Sequence, residues 1–178
     1  MPKSWIGDPA QLTAAHVPEA VAFATKPALA VQMIRRALAA EMPFSWVAAD
    51  AMYGVGDVEQ ALRRACKGYV LGVKSDHHFG SWSGKPPVAG TAAEIALDVG
   101  PGAWQRLAAG EGTKGARLHD WAYCEPADLA FFTTRCPLST GIQTLVAVEG
   151  HRWAIEDSFE TAKIEIGLDH NETRPWYG

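Results

Sequence analysis

Residues 44–73 read FSWVAADAMYGVGDVEQALRRACKGYVLGV, and this stretch decides the fold. Its first six residues are a short apolar run that ends at Asp50, which is typical of a buried strand. Residues 58–67 carry apolar positions at helical spacing, with Asp57 as the expected N-cap, and residues 69–73 form a second apolar run. Strand, helix and strand within about thirty residues predict a βαβ unit with parallel strands.

Helical patterns lie on both sides of this unit. A helix is predicted from Lys26 to Met42, because a proline follows Lys26 in the favoured first turn and another proline follows Met42. The preceding residues, 5–25, contain two prolines and little periodicity and are predicted to be loop. A later helical pattern covers residues 143–166 and ends at Gly167, since glycine favours the left-handed conformation that ends helices.

The segment between the βαβ unit and the last helix has a different character. Residues 74–140 are dense in Gly and Pro, with β-like stretches at 117–123 and 129–134 and one helical turn at 91–97. We therefore predict an α/β protein with a β-rich insertion before its last helix. The expected division has three segments: a partial core over residues 1–73, the insertion over 74–140, and the last helix with the C-terminus over 141–178.

Composition excludes several classes of protein. Hydrophobic residues make up 48% and charged residues 20% of the 178 residues, which excludes a disordered tail, a collagen-like fibre and a coiled coil. No apolar run reaches the ~20 residues of a membrane span and no signal peptide is visible, so we expect a cytoplasmic protein without a membrane partner. The net charge of −4 argues at face value against nucleic acid, although residues 1–75 carry +2 and residues 76–178 carry −6.

Two acidic residues stand at positions where chemistry is often found. Asp50 follows a buried strand, the place where open α/β sheets build their sites, although, for an aspartate taken alone, an Asx turn or helix cap is the more common reason. Glu156 lies on the last helix between Arg152 and Lys163, all three within about 40° at ~100° per residue. The structural interpretation there is an ordinary Arg–Glu surface pair.

Together these two motifs match a known pattern. The late helix reads Arg, three residues, Glu, six residues, Lys, and Asp50 has two alanines before it and Tyr-Gly shortly after it. This combination resembles the signature of bacterial insertion-sequence transposases with a DDE endonuclease domain, and the resemblance extends over nearly the whole chain. The residues that carry it are Asp50, Tyr53, Gly54, Arg152, Trp153, Ile155, Glu156, Phe159, Lys163 and Gly167-Leu168-Asp169-His170.

The resemblance implies a ribonuclease-H-like fold and metal-dependent cleavage and transfer of DNA strands. Asp50 matches the second and Glu156 the third acidic residue of a catalytic triad that holds two Mg²⁺ or Mn²⁺ ions. Arg152 and Lys163 match residues that bind DNA phosphates. The implied partners are transposon ends and target DNA, with the protein on the nucleoid, and a homodimer is a further expectation.

The sequence also departs from the family pattern. The family's first catalytic aspartate and first three strands precede the stretch that resembles Pro2-Lys3-Ser4-Trp5, so we expect a truncated copy that is inactive alone. Asp8 lies in a predicted loop and is no substitute. Glu149 stands where the family has Tyr and, facing a phosphate, would repel DNA. The connection from Tyr123 to Leu129 is short, where relatives carry another strand.

The absence of the family's first strands would affect the central sheet. Without the first strands, the βαβ strands would remain as a two-stranded remnant with an apolar edge that favours association. The chain could instead be a degenerate, non-catalytic gene product, or an unrelated α/β module that binds a small ligand beside Asp50. A zinc site is not expected, because the histidines lack helical i, i+4 partners and no Cys-x-x-Cys is present.

Overall fold

The predicted βαβ unit forms the centre of the protein. A computed structural model of the chain describes residues 3–80, 89–98, 100, 105–112, 115–121, 130–137 and 139–168. The unit consists of β1 (Trp46–Ala49), α3 (Gly56–Arg64) and β2 (Gly68–Val73), and the two strands are parallel as predicted. The N-cap of α3 is Val55, without a side-chain bond, so the expected cap at Asp57 is wrong: Asp57 lies inside the first turn, where its charge favours the helix dipole.

A 3-10 helix at Lys3–Trp5 and two α-helices precede this unit. The earlier one is α1 (Pro9–Ala14), so the prediction of loop throughout residues 5–25 is wrong. The cause is local, because the side chain of Asp8 accepts a hydrogen bond from the amide of Gln11 at 3.0 Å and caps a helix that opens with proline. The second is α2 (Lys26–Ala39), which confirms the predicted helix. The hydroxyl of Thr25 caps it.

The hydrophobic core lies where α2 and α3 cover the parallel strands. Leu62 of α3 is fully buried, and burying a leucine side chain contributes about 2 kcal/mol. The same face of the sheet supplies two strand residues, and α2 supplies one valine from its inward side. The members of this cluster are Val31, Val58, Leu62, Tyr69 and Leu71.

A third strand completes the central sheet. β7 (Phe131–Arg135) pairs antiparallel with β2, with Val70 opposite Thr134, and the order of strands is β1-β2-β7. The expectation of a two-stranded remnant is therefore wrong. Among the described residues β1 and β7 are the two edge strands of this sheet. The protein has the mixed α/β architecture that the sequence predicts.

The segment between β2 and β7 is rich in β-structure, as predicted. β3 (His78–Gly80) pairs with β4 (Ala89–Thr91), and the expected helical turn is present as α4 (Ala92–Leu97), opened by a Thr91–Glu94 capping box. β5 (Gln105–Gly112) and β6 (Gly115–Trp121) form an antiparallel hairpin, of which only β6 was expected. The short connection from Tyr123 to Leu129 and the matching residues Asp169 and His170 lie outside the described residues.

The last helix is α5 (Ile142–Ile166), and it packs on both β1 and β5. It ends as predicted at Gly167, whose φ of 67° is left-handed. Leu145 and Val146 are buried in its first turns. Within the described part of the chain, no helix has both the length and the apolar character to cross a membrane.

Candidate functional site

Asp50 is the first residue after β1, at the carboxyl end of a strand in the central sheet. Its Oδ1 accepts a hydrogen bond from the amide of Met52 at 2.8 Å, and its backbone carbonyl accepts one from the amide of Tyr53 at 3.0 Å. This is an Asx turn, so the structural interpretation of Asp50 holds. The turn also fixes the carboxylate in one orientation beside the sheet.

Two glycines allow this turn to pack closely against β2. A Cβ on Gly54 would lie 1.9 Å from the carbonyl oxygen of Gly72, and a Cβ on Gly72 would lie 2.7 Å from the amide nitrogen of Ala51. No side chain fits at either position unless the backbone moves. The glycine that follows Tyr53 is therefore part of the packing that positions Asp50, and Gly72, which sequence analysis did not single out, is its partner.

On α5, Arg152 holds two glutamates at once. Its Nε donates to Oε1 of Glu149 at 2.8 Å, one turn towards the N-terminus, and its Nη1 donates to Oε1 of Glu156, one turn towards the C-terminus. The guanidinium carbon also lies 4.7 Å from the ring centroid of Trp153, in cation–π geometry. Helical spacing of three and four residues produces both ion pairs.

The two glutamates differ in their environment. The side chain of Glu149 is 3% exposed, and its buried Oε2 has no hydrogen-bond partner among the residues that the structure describes. The side chain of Glu156 is 50% exposed, and that of Arg152 is 23% exposed. Arg152 thus connects a buried carboxylate with one that solvent reaches. Glu149 points into the protein, so the repulsion of DNA expected from a phosphate-facing glutamate at this position does not arise.

Electrostatic coupling joins Asp50 to these three residues. Burial raises the pKa of Glu149; the guanidinium of Arg152 opposes this, and the charges of Glu156 and Asp50 raise the pKa further. Burial lowers the pKa of Arg152, but Glu149, Glu156 and Asp50 together raise it above the ordinary value. Arg152 with its two glutamates, and Asp50 at the end of the strand on which α5 packs, are called the carboxylate–arginine cluster. Three carboxylates and one guanidinium give it a net charge of −2 when all are ionised.

The other candidates lie apart from this cluster. Lys163 is exposed on α5, almost two turns beyond Glu156, and no described residue forms an ion pair with it. Asp8 serves as the cap of α1. In the sequence, Glu149 stands out only because it occupies the position where the family pattern has tyrosine. Its spacing of three residues before Arg152 was the available signal for an ion pair, but its burial had no signal in the sequence.

Metal binding can be assessed from the donor atoms. Carboxylate oxygens suit Mg²⁺ and Mn²⁺ as ligands. Oε2 of Glu149, which no described residue hydrogen-bonds, has its lone pairs free for a cation. However, Arg152 binds both glutamates, and within the described residues no three His, Cys, Asp or Glu side chains are arranged to hold a metal ion. The donor types fit a divalent cation, but their arrangement around Arg152 does not.

Comparison with known proteins identifies the family. A family model described as DDE superfamily endonuclease matches residues 1–122, which include Asp50 and its turn and end before α5. Searches of curated proteins and of solved structures found no match. Endonucleases of the DDE superfamily generally use divalent metals and act on DNA. The matched residues are more than half of the chain, and the chain is therefore a transposase-like member of the DDE superfamily endonucleases.

Proposed function

We propose that this chain is the catalytic-core part of an insertion-sequence transposase, a protein that cuts and rejoins DNA phosphodiester bonds. The observation that carries this proposal is the packing of α5, which bears the Arg152–Glu156 pair, on β1, which ends at Asp50. Two distant parts of the chain thus supply acidic residues from neighbouring elements of the fold. Work on transposon ends and target DNA would place the protein on a bacterial nucleoid in the cytoplasm.

Within this function, we assign Asp50 and Glu156 as the catalytic carboxylates. Asp50 is held rigidly by its turn and by the contact between Gly54 and Gly72. Glu156 is half-exposed and so can approach a substrate from solvent. Both are proposed to serve as ligands of Mg²⁺ or Mn²⁺, which supplies Lewis-acid activation in phosphoryl transfer. The ribonuclease-H-like arrangement would require a third acidic residue beside these two.

Arg152 and Lys163 are proposed to contact DNA phosphates. Lys163 extends from an exposed turn of α5, and the described residues leave its charge unpaired. Arg152 is bound to Glu149 through Nε. The rest of its guanidinium, which contacts Glu156, can therefore exchange that contact for a DNA phosphate. Because the overall charge is −4, binding would depend on these local contacts and would weaken with salt.

The test is binding of the chain to duplex DNA, measured by fluorescence anisotropy over a series of salt concentrations. Lys163→Gln should weaken binding and lower the slope of log affinity against log salt by about one. Lys26→Gln, which removes the same charge from the start of α2, is the matched control and should change neither. Absence of DNA binding by the wild-type chain would contradict the proposal.

A degenerate, non-catalytic product of such a gene remains the second candidate. It is favoured by the absence, among the described residues, of three acidic side chains arranged around a cation. Nicking of plasmid DNA with Mg²⁺ or Mn²⁺ would exclude this second candidate, because a non-catalytic product cannot nick. We expect no nicking by this chain alone, whereas nicking that disappears in both Asp50→Asn and Glu156→Gln would show a complete site. The family match argues against an unrelated small-ligand-binding module.

A further inference from the structure

We propose that the second half of α5 (residues 151–166) binds in the groove between α2 and α3 of another copy of this chain, so that copies associate head to tail. This interaction goes beyond the proposed action on DNA, because it needs neither DNA nor a metal ion. Among the described residues, both surfaces are open to solvent, and they are a helix and a groove of opposite charge. They therefore fit one partner, a second copy of the same chain.

An exposed apolar stripe runs along the second half of α5. Ile155, Phe159 and Ile166 fall within about 40° of one another at ~100° per residue, and each is more than half exposed. Ile164 is exposed too, but it lies about 180° from Ile155, on the opposite side of the helix. Two basic residues in this half are outnumbered by the acidic ones, which are Glu156, Asp157, Glu160 and Glu165. The stripe therefore lies on a helix of net negative charge.

The groove between α2 and α3 has the complementary character. Its volume is about 510 Å³, and its floor consists of aliphatic side chains from both helices, with three alanines among them. On its rim Arg35 of α2 and Arg64 of α3 are exposed, and neither forms an ion pair with a residue that the structure describes. Asp57 is the one acidic side chain among the described lining residues. The rim is therefore net positive around an apolar floor.

One chain cannot bring its own stripe to its own groove, because the two lie on opposite faces of the central sheet. α2 and α3 cover the face that bears Tyr69 and Leu71. Val70 alternates to the other face, where it is buried, and α5 packs there against β1 and β2. Complementary surfaces on opposite faces produce a head-to-tail contact, which leaves one free surface at each end and so continues beyond a dimer.

Charge favours the groove over the other apolar surface that the stripe could meet. In a contact of stripe against stripe, the negative charges of two α5 helices would oppose each other, whereas Arg35 and Arg64 attract them. A single helix in a groove is a small interface, so we expect a dissociation constant of about 10 μM or weaker. Unfolding experiments at about 1 μM therefore measure the single chain.

The test measures the mass of the full chain by sedimentation velocity from about 1 to about 200 μM, a range that includes the expected dissociation constant. Wild type should exceed the mass of a dimer at the highest concentration. Phe159→Glu places a charge in the stripe and should weaken association at least about tenfold. Ile164→Glu, the matched control, places the same charge on the opposite side of the helix and should leave association within about twofold of wild type.

A mixing experiment identifies the groove as the partner surface. The groove variant Arg35→Glu/Arg64→Glu changes two exposed residues and keeps its stripe, whereas Phe159→Glu keeps its groove. Each variant alone should remain monomeric. An equimolar mixture should form a dimer with one copy of each and should stop there, because only one stripe and one groove are intact. Circular dichroism establishes that each variant is folded.

Each contrary outcome has a distinct meaning. A wild-type chain that stays monomeric would mean that another segment or another protein covers the stripe, and it would overturn the proposal. Association of the groove variant alone with wild-type affinity would show stripe against stripe, and a monomeric mixture would equally reject the groove. Loss of association in Ile164→Glu to the same extent as in Phe159→Glu would show unspecific association. None of these results depends on whether the chain binds DNA.

Discussion

The two halves of α5 have the same helical periodicity and opposite environments. In residues 142–150, Leu145 and Val146 are buried and Glu149 is buried with them. In residues 151–166 Trp153 is half-buried, but the other large apolar side chains are exposed, and Phe159 has 55% of its surface open. Within the described part of the chain, only the first turns of the helix are covered by other elements.

A close backbone contact marks the covered half. Gly150 lies against β5, where a Cβ would come within 1.7 Å of the carbonyl oxygen of Ala109. The cluster residues Arg152 and Glu156 follow directly, where the helix emerges from this cover. The candidate catalytic residues of α5 therefore lie at the boundary between the two halves, with Glu149 on the buried side and Glu156 on the open side.

The largest expected effect is at this close contact. Gly150→Ala forces β5 away from α5 and should lower the free energy of unfolding by about 3 kcal/mol. Gly56→Ala is the matched control, because no atom lies within 4 Å of its added Cβ, and it should leave stability unchanged or raise it by about 0.5 kcal/mol. Urea denaturation followed by circular dichroism measures both. Equal stability of the two variants would show that the hairpin does not press on α5.

Truncating apolar side chains tests the two halves directly. Leu145→Ala removes buried side-chain volume and should cost about 2 kcal/mol of unfolding free energy. Phe159→Ala removes a larger side chain that is mostly in solvent, and its cost should stay within about 0.5 kcal/mol. Thermal unfolding of both variants at one protein concentration gives the comparison. A large loss in Phe159→Ala would mean that the second half of the helix is covered in solution.

Local signals explain how much of the fold could be predicted. Pro27 lies at the favoured position at the start of α2, and Gly167 at the favoured position after the end of α5. Apolar runs bounded by turns predicted the two parallel strands. The pairing of β7 with β2 was not predictable, since it joins residues more than fifty positions apart and no local pattern encodes it. β5 was missed because QRLAAGEG contains no β-branched or aromatic residue.

In the candidate site, too, local features were predictable from the sequence and long-range packing was not. Asp50 was predicted from its place after a strand, and both its Asx turn and its position at the sheet edge were foreseeable. The i, i+4 pair of Arg152 with Glu156 was foreseeable too. The burial of Glu149 was not, because it depends on a hairpin some forty residues earlier that packs against α5. Helical periodicity defines faces but does not say which face a distant segment covers.

The two ion pairs of Arg152 should differ in their effect on stability. Arg152→Gln leaves the buried carboxylate of Glu149 without a charged partner and should cost about 2 kcal/mol at neutral pH. Glu156→Gln removes only the half-exposed pair, and its cost should stay below about 0.5 kcal/mol. Urea denaturation at pH 7 provides the measurement. Equal costs would contradict the difference in burial.

The smallest expected effect is a pH dependence that comes from the buried half alone. Because burial raises the pKa of Glu149 above its ordinary value of 4.5, the folded chain holds this proton at pH values where the unfolded chain has lost it. Stability should therefore fall as pH rises from the ordinary pKa to the raised one. Glu149→Gln cannot ionise, so the difference in unfolding free energy between variant and wild type should grow in favour of the variant across that interval. Urea denaturation of both proteins at a series of pH values measures this difference, and a constant difference would contradict the burial of the carboxylate beside Asp50 and Glu156.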